Sequence, residues 1–520
     1  VPFPSTFPPS SMATPSPHGL RPAPLRALLL ALLFLSIIIL LTLHLPTRHR
    51  PLPPAPLMIL PTPLRTQRAE KADLSSSSLS PSPATMSHAV FDIDSSSSSF
   101  PSPTTMSHVV FGIASSGRTL PKRLPLLRTW LRPPARAFLY LDALPRATSP
   151  LPSNIHLRVS RDASRFPYTH RRGLPSAVRV ARIAKELLLE VDLRQHGSPR
   201  WLVLGDDDTA FVLPNLLHTL SKYDWHEPWY IGARSESVAQ NALHAFAMAF
   251  GGGGIAISWP FAQRLARVLD SCIIRYPHLY GSDGRIYACL AELGIELTHE
   301  PGFHQIDLRG DISGLLRAHP LAPLVSLHHL DHVYPLYPGM DRSNAVEHFF
   351  GAANADPARI LQQTVCYDRS RALTASVAWG YSVQVFKGNV PLLDLLSVQK
   401  TFVPWRSRRN VTVTDAFMFN TKHYPRDECK RAALFFMKSI SSGEGKTESN
   451  YSRQLPAKCS PNLIPFGNLQ QIRVTSELLH LVPGKASRRH CCDIVPSSSE
   501  ITMDINIRKC KDDELIAMHS

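Results

Sequence analysis

The sequence predicts an α/β protein built on a mostly parallel central sheet, and three observations carry that prediction. Short apolar strands recur from His108 onward, segments of helical spacing separate them, and one strand runs into three successive aspartates. In such sheets ligands gather outside the carboxyl ends of strands, so the aspartates also mark where a site is expected.

The first strands are HVVFGIA (108–114), AFLYLDAL (137–144) and NIHLRVS (154–160). A helix is expected over 175–193, where Val180, Ala184, Leu187, Leu188 and Val191 share one face while Arg179, Arg182, Lys185 and Glu186 lie elsewhere. Next, the apolar strand 201–204 ends at Gly205 and delivers Asp206, Asp207 and Asp208 into a turn, before a helix entered through Pro214. FAMAFGGGGIAIS (246–258) reads as two strands interrupted by Gly251, Gly252, Gly253 and Gly254. YGSDGRIYACLAELG (280–294) reads as a helix capped by Ser282 or Asp283 and stopped at Gly294.

The stretch before His108 has a different texture. Residues 27–43 (ALLLALLFLSIIILLTL) form an uncharged apolar run near the short end of the roughly 17 to 25 residues that span a bilayer. The run is long for a signal-peptide core and no clear small-residue cleavage site follows, so an uncleaved signal anchor is expected, with residues 1–26 in the cytosol. Residues 44–106 are rich in Pro and Ser and cannot bury enough apolar surface to fold, which makes them a stem. Within them SPATMSHAVFDI is echoed by SPTTMSHVVFGI, a local duplication to which no function attaches.

With 520 residues, 44% of them hydrophobic, the rest of the chain is long enough for two domains with real cores. The net charge of +16 does not point to nucleic acid, because the arginines are spread among acids and no DNA- or RNA-binding pattern organises them. A basic surface equally suits an anionic small substrate or solubility. All eight cysteines lie in the second half without zinc-type spacing, so disulfides in an oxidising compartment are expected. The sequons at Asn410 and Asn450 agree with that compartment. Adjacent Cys491 and Cys492 should reach separate partners, with Cys510 in the same set, and so stabilise the C-terminal region.

Four groups of residues could carry chemistry. Three adjacent carboxylates repel one another, and are tolerable in a solvated turn or favourable around a divalent cation such as Mn²⁺ or Mg²⁺. Asp283 is either a helix cap or an ionised proton acceptor. Gly252 and Gly253 allow a backbone to approach a ligand closely, or simply make a hairpin. His304, His328 and His329 follow Asp283 in strand-like segments, as core residues or as ligands.

Several long phrases give these residues a context. GDDDTAF, KYDWHEPWYIGARSES, MAFGGGGIAIS, RYPHLYGSDGRIYACLAELGIELTHEPGFHQID and HPLAPLVSLHHLD occur in order. Residues 107–349 thereby resemble a plant fringe-like family known as a domain of unknown function, itself similar to fringe and the β-1,3-galactosyltransferases of glycosyltransferase family 31. CYDRSRALTASVAWGYSVQVF, TFVPW, RRHCCDIV and IRKCKDDEL resemble that family's C-terminal extension, residues 350–520.

The resemblance implies a GT-A-like nucleotide-sugar-binding domain and an inverting transfer from a UDP-sugar to a glycan or glycoprotein acceptor. It implies Asp208 as metal ligand, with Asp206 and Asp207 near metal, ribose or phosphate. It also implies Asp283 as base, although Ser282-Asp283 stands where fringe has two acids. His328 and His304 both match family phrases that hold a metal-binding histidine. With the anchor, the resemblance implies a single-pass type II protein of the Golgi membrane, its catalytic domain lumenal. A non-catalytic sugar-binding or scaffold protein keeping the same fold is the alternative, and a metal-dependent phosphohydrolase would share the carboxylates.

Overall fold

The structure, a computed structural model, describes residues 102–146, 150–171, 173–191, 198–405, 416–497 and 499–518. The expected anchor at 27–43, its flanking tail and nearly all of the stem lie outside the described residues, as does Asn410. Among the described residues no helix is long and apolar enough to cross a membrane.

A seven-stranded sheet forms the first layer: β1 (Val109–Ala114), β2 (Arg136–Leu141), β3 (Ile155–Val159), β4 (Trp201–Asp206), β6 (Tyr230–Gly232), β7 (Ile255–Ser258) and β8 (Thr298–His299), in the order β3-β2-β1-β4-β7-β6-β8. The short β5 (Ala210–Phe211) lies outside it. Every neighbouring pair is parallel except those made by β7, which runs against both β4 and β6. The sheet is therefore mixed and mostly parallel. All six residues of β1 are buried, as a strand covered on both faces requires. Val109, Phe111 and Ile113 enter one apolar layer with Trp201 and Val203, while Val110 and Ala114 enter the other with Leu202 and Leu204.

Among the described residues up to Ala355 the helices are α1 (Leu120–Trp130), α2 (Ser176–Ala181), α3 (Ile183–Glu190), α4 (Leu213–Leu220), α5 (Val238–Leu243), α6 (Trp259–Arg275) and α7 (Ser282–Glu292), followed by α8 (Ser313–Arg317) and α9 (Arg342–Ala355), which pack toward the C-terminal strands. Three differ from the sequence reading. The single helix expected over 175–193 divides at Arg182, whose buried side chain turns to Glu186 (2.9 Å) and Asp270 (3.1 Å). The sequence reading placed no helix at α1, which holds Pro121 in its first turn, where proline is tolerated, and Pro125 in its interior, where proline disfavours a helix. Finally, α7 begins with Gly281 as its N-cap and no side-chain cap bond, so the reading of Ser282 or Asp283 as the cap is corrected.

The strand expected before the glycines is likewise replaced by irregular chain, where the Ala249 N–H donates to the Tyr230 hydroxyl (2.8 Å). A 3₁₀ turn over Gly251–Gly253 then leads into β7.

Beyond β8, a small sheet joins β5, β9 (Phe303–His304) and β11 (Ser326–Leu327), and β10 (Leu308–Gly310) pairs with β16 (Phe402–Pro404). The C-terminal part is an eight-stranded sheet of β12 (Gln363–Asp368), β13 (Leu373–Ala378), β14 (Ser382–Lys387), β18 (Ala433–Gly443), β19 (Lys446–Gln454), β20 (Gln471–Glu477), β21 (Cys491–Val495) and β22 (Thr502–Arg508), ordered β12-β13-β14-β18-β19-β20-β22-β21. Between β14 and β18 lie the two-residue β15 (Val398–Gln399) and β17 (Thr421–Lys422), which pair with each other. The Cys366–Cys492 disulfide joins the two end strands, β12 and β21, so the sheet curls until its edges meet. A covalent tie thus closes what hydrogen bonds leave open.

The expected division at residues 349 and 350 falls inside α9, and one apolar cluster runs from Val109 through Phe349 to Ile507. All eight cysteines are paired, with Cys491 bonded to Cys510 and Cys492 to Cys366 as separate partners.

Candidate metal and donor site

β4 carries the aspartates to the carboxyl end of the sheet. Asp206 is its last residue, and its backbone N–H donates to the Thr209 hydroxyl (2.9 Å), which closes the turn. That hydroxyl donates in turn to the Gly252 carbonyl (2.7 Å), so the acidic turn and the glycine turn are tied together.

His328 follows β11 and arrives from 120 residues away. Its Nδ1–H donates to the Gln305 carbonyl (3.2 Å), which aims Nε2 at Asp208 Oδ1 (3.0 Å) and Asp206 Oδ2 (3.7 Å). Metal-binding histidines are commonly oriented this way, by a hydrogen bond from the nitrogen that faces away. Among the described residues, Asp206, Asp208 and His328 offer ligand atoms that all lie within 4.8 Å of one another. Two carboxylates and one imidazole suit Mn²⁺ or Mg²⁺ in hardness, the imidazole favouring Mn²⁺.

The site is charged on both sides. Burial alone would depress the His328 imidazole, but the Asp208 carboxylate, with Asp206 and Asp307 behind it, raises it to about 9. Burial would lift Asp208, yet His328 and Arg123 hold its carboxyl far below the usual range. Enclosure raises Asp206, helped by the charges of Asp208, Asp283 and Asp207, while water reaching 42% of the side chain moderates the effect. Burial also raises Asp207, whose Oδ2 accepts from Ser115 (2.6 Å) and Thr119 (2.9 Å). The imidazolium and Arg123 therefore stand among the carboxylates where a cation would stand.

Asp283 reaches the same place from the first turn of α7. Its Oδ1 accepts from the Ser282 hydroxyl (2.9 Å). A Cβ on Gly251 would come within 2.7 Å of that oxygen, and a Cβ on Gly252 within 2.2 Å of the His328 ring. Adjacent glycines thus let the base candidate and the metal candidate press on one turn. Gly252 and Gly253 approach protein groups here: the Gly253 N–H donates to Gln305 Oε1 (2.8 Å), and its carbonyl accepts from Ser326.

His304 lies apart from this group. Its Nδ1 meets Glu236 Oε1 (3.1 Å) and its Nε2 meets His319 Nε2 (3.0 Å), in a buried network behind the glycine turn. His329, left-handed at φ 55°, stacks on Trp405 with centroids 4.2 Å apart and planes 9° from parallel.

Sequence reasoning missed Arg123 and Trp405. Arg123, on α1, bridges Asp207 (3.5 Å), Asp208 (3.2 Å) and Asp331. The strand-turn-strand spacing around 109–141 leaves room for a crossover helix, which is the signal that could have found it. Trp405 comes from the TFVPW phrase of the C-terminal part, and no local pattern marks it.

Carboxylates and an imidazole thus gather at the carboxyl edge of a mixed α/β sheet, where ligands of such sheets are commonly held. The pattern of the fringe-like family matches residues 104–363, half of the 520, and the chain belongs to that family. The pattern described as "Protein of unknown function, DUF604" matches residues 240–492. The β-1,3-glucosyltransferase of Mus musculus is 33% identical over 110 residues, which is 21% of this chain and 22% of that protein. The Homo sapiens β-1,3-glucosyltransferase is 34% identical over 112 residues, 22% of each. The match therefore spans about a fifth of the length of these curated relatives. Among solved structures, the galactosyltransferase LgtC in complex with donor and acceptor sugar analogues is similar over 37% of this chain and 73% of its own, at 12% identity and a TM-score of 0.27.

Proposed function

We propose that this chain is a metal-dependent, inverting glycosyltransferase of GT-A type. It moves a hexose or N-acetylhexosamine from a UDP-sugar to a hydroxyl of a glycan or glycoprotein, in a β-1,3 linkage. The observation that carries this reading is the convergence of Asp206, Asp208 and His328 beside a glycine turn that Asp283 also approaches.

Asp206, Asp208 and His328 would hold Mn²⁺ or Mg²⁺, with Asp207 braced by Ser115 and Thr119 beside them. A divalent cation there supplies neutralising charge to a departing UDP. His328 must lose its proton to become a ligand, so binding of the cation releases that proton. Asp283 accepts the proton of the acceptor hydroxyl as its oxygen attacks the anomeric carbon opposite the leaving group. Ser282 holds one oxygen of Asp283 and leaves the other for the substrate. The two carboxylate roles are separate, and no covalent sugar-enzyme species is needed.

Residues 27–43 anchor the protein in the Golgi membrane in this reading, with the catalytic part lumenal. Four disulfides and the Asn450 sequon on β19 support an oxidising lumen. Protease treatment of intact microsomes should spare the C-terminal part, and its digestion would contradict this topology.

The activity is tested by incubating the protein with Mn²⁺ and a panel of UDP-sugars, following UDP release with and without glycan acceptors. Acceptor-stimulated, chelator-sensitive release is expected for one donor. Metal-dependent UDP binding without turnover on any donor would identify a sugar-binding scaffold, and phosphate release without acceptor a phosphohydrolase.

A further inference from the structure

A cavity of about 1000 Å³ opens beside the first turn of α7, on a helix face next to the one that carries Asp283. Gly281 and Gly284, which flank Asp283 within that turn, form part of its wall. One helical turn rises about 5.4 Å, so the cavity begins within a sugar's reach of the base. Its size is at the top of the roughly 300–1,000 Å³ range of small-molecule sites, which is more than one sugar ring needs.

Six of its fifteen lining residues carry rings: His170, His244, Tyr276, His278, Tyr280 and Tyr287. Tyr280 is the hub, with His170 and His244 at centroid distances of 5.3 Å and 5.5 Å, and it remains 38% exposed. His244 packs in turn on Phe250 (5.9 Å), the residue before the glycine that touches Asp283. The ring wall is thus continuous with the catalytic turn.

The charge of the cavity narrows its ligand. Its carboxylate, Glu292, is taken by Arg275 (Nε to Oε1, 3.0 Å) and by the Tyr276 hydroxyl (2.8 Å). What remains is amphipathic rings with apolar faces and polar tips, set among the aliphatic side chains of Leu243, Met248 and Leu279, which suits a ligand with both C–H faces and hydroxyls.

We infer that this cavity is an acceptor subsite for a neutral oligosaccharide of at least two sugar units, whose terminal hydroxyl it presents to Asp283. The inference rests on the reading of Asp283 as base, but ligand binding in the cavity can be measured without turnover. Exposed rings such as Tyr280 can be truncated without opening the core.

The test is direct binding, by calorimetry or saturation-transfer NMR, of neutral mono-, di-, tri- and tetrasaccharides of hexose and N-acetylhexosamine, with a sulfated tetrasaccharide as a charged arm. Affinity for one neutral series should rise at least tenfold from mono- to trisaccharide. Tyr280→Ala should lower the oligosaccharide affinity about tenfold, Tyr280→Phe should retain it, and both should bind Mn²⁺ and UDP like the wild type. The inference is overturned by no gain with chain length, by unchanged binding in Tyr280→Ala, or by preference for the sulfated arm. Failure of Mn²⁺-dependent UDP binding would instead overturn the transferase reading, whatever the oligosaccharides do.

Discussion

Two histidines, one in the carboxylate site and one in the C-terminal sheet region, answer burial in opposite ways. His490 is pushed down to about 4 by burial, with Arg359 and Lys509 adding to the effect, and its Nδ1 accepts from Arg359 (3.0 Å). His328 is more deeply buried yet rises to about 9, because its neighbours are carboxylates. The contrast teaches that in the C-terminal part a histidine faces a buried guanidinium that Asp356 already pairs, whereas the site is built around surplus negative charge. Surplus charge of that kind is costly in a resting fold and useful where a cation must bind.

The strongest way to break the comparison is to remove charge from the site alone. Asp208→Ala should abolish transfer, a loss on the order of 10³ or more, through lost Mn²⁺-dependent donor binding. Asp283→Asn should lower transfer by about 10² to 10⁴ while Mn²⁺ and UDP still bind, since Asp283 caps nothing and the amide keeps its shape. Steady-state rates beside UDP calorimetry separate the two outcomes, and a normal rate in the Asn variant would remove Asp283 from the mechanism.

Damage to the other region should do the reverse. The Cys366–Cys492 bridge closes a separation of 126 residues, so replacing both cysteines with serine should destabilise the protein by about 2–5 kcal/mol. Denaturant melts should show that loss, while UDP affinity of the folded fraction stays unchanged. Coupled loss of both would mean that the site depends on closure of the C-terminal sheet, a link for which Trp405 on His329 is the obvious route.

The smallest effect is on pH dependence. His328, raised in the folded state, stabilises fully below its unfolded value of about 6.5, and this share is lost as pH rises through about 9. For His490 the unfolded chain binds a proton that the folded chain refuses between about 6.5 and 4, so stability falls as pH falls through that window. Between them, these two histidines should make the metal-free protein lose stability in melts on both sides of about pH 6.5. His490→Gln should reduce the fall on the acid side, and His328→Gln should remove the fall toward about pH 9 while also raising Asp208, which loses the imidazolium that holds it low.

Much of this was legible in the sequence because strands such as VVFGIA and WLVLG are apolar runs too short for helices. The acidic turn, the glycine turn and Asp283 were found because each is a local pattern. Long-range geometry was not legible. Nothing in PGFHQID or VSLHHLD says that the Gln305 carbonyl aims His328 at Asp208 while His304 turns to Glu236. The C-terminal sheet was read only as an extension, since its alternating strands carry polar residues on the outer face, as in NYSRQ of β19.

The central claim is that Asp206, Asp208 and His328 bind a divalent cation in place of a proton. Titrating Mn²⁺ into the protein with saturating UDP at pH 7.5, in two buffers of different ionisation enthalpy, tests it most directly. The account predicts UDP-dependent binding with proton release on cation binding, loss of binding in Asp208→Ala, and a smaller release in His328→Gln, where the raised Asp206 carboxyl is left to give up a proton. Equal affinity in the wild type and Asp208→Ala, with heats that do not depend on the buffer, would contradict it.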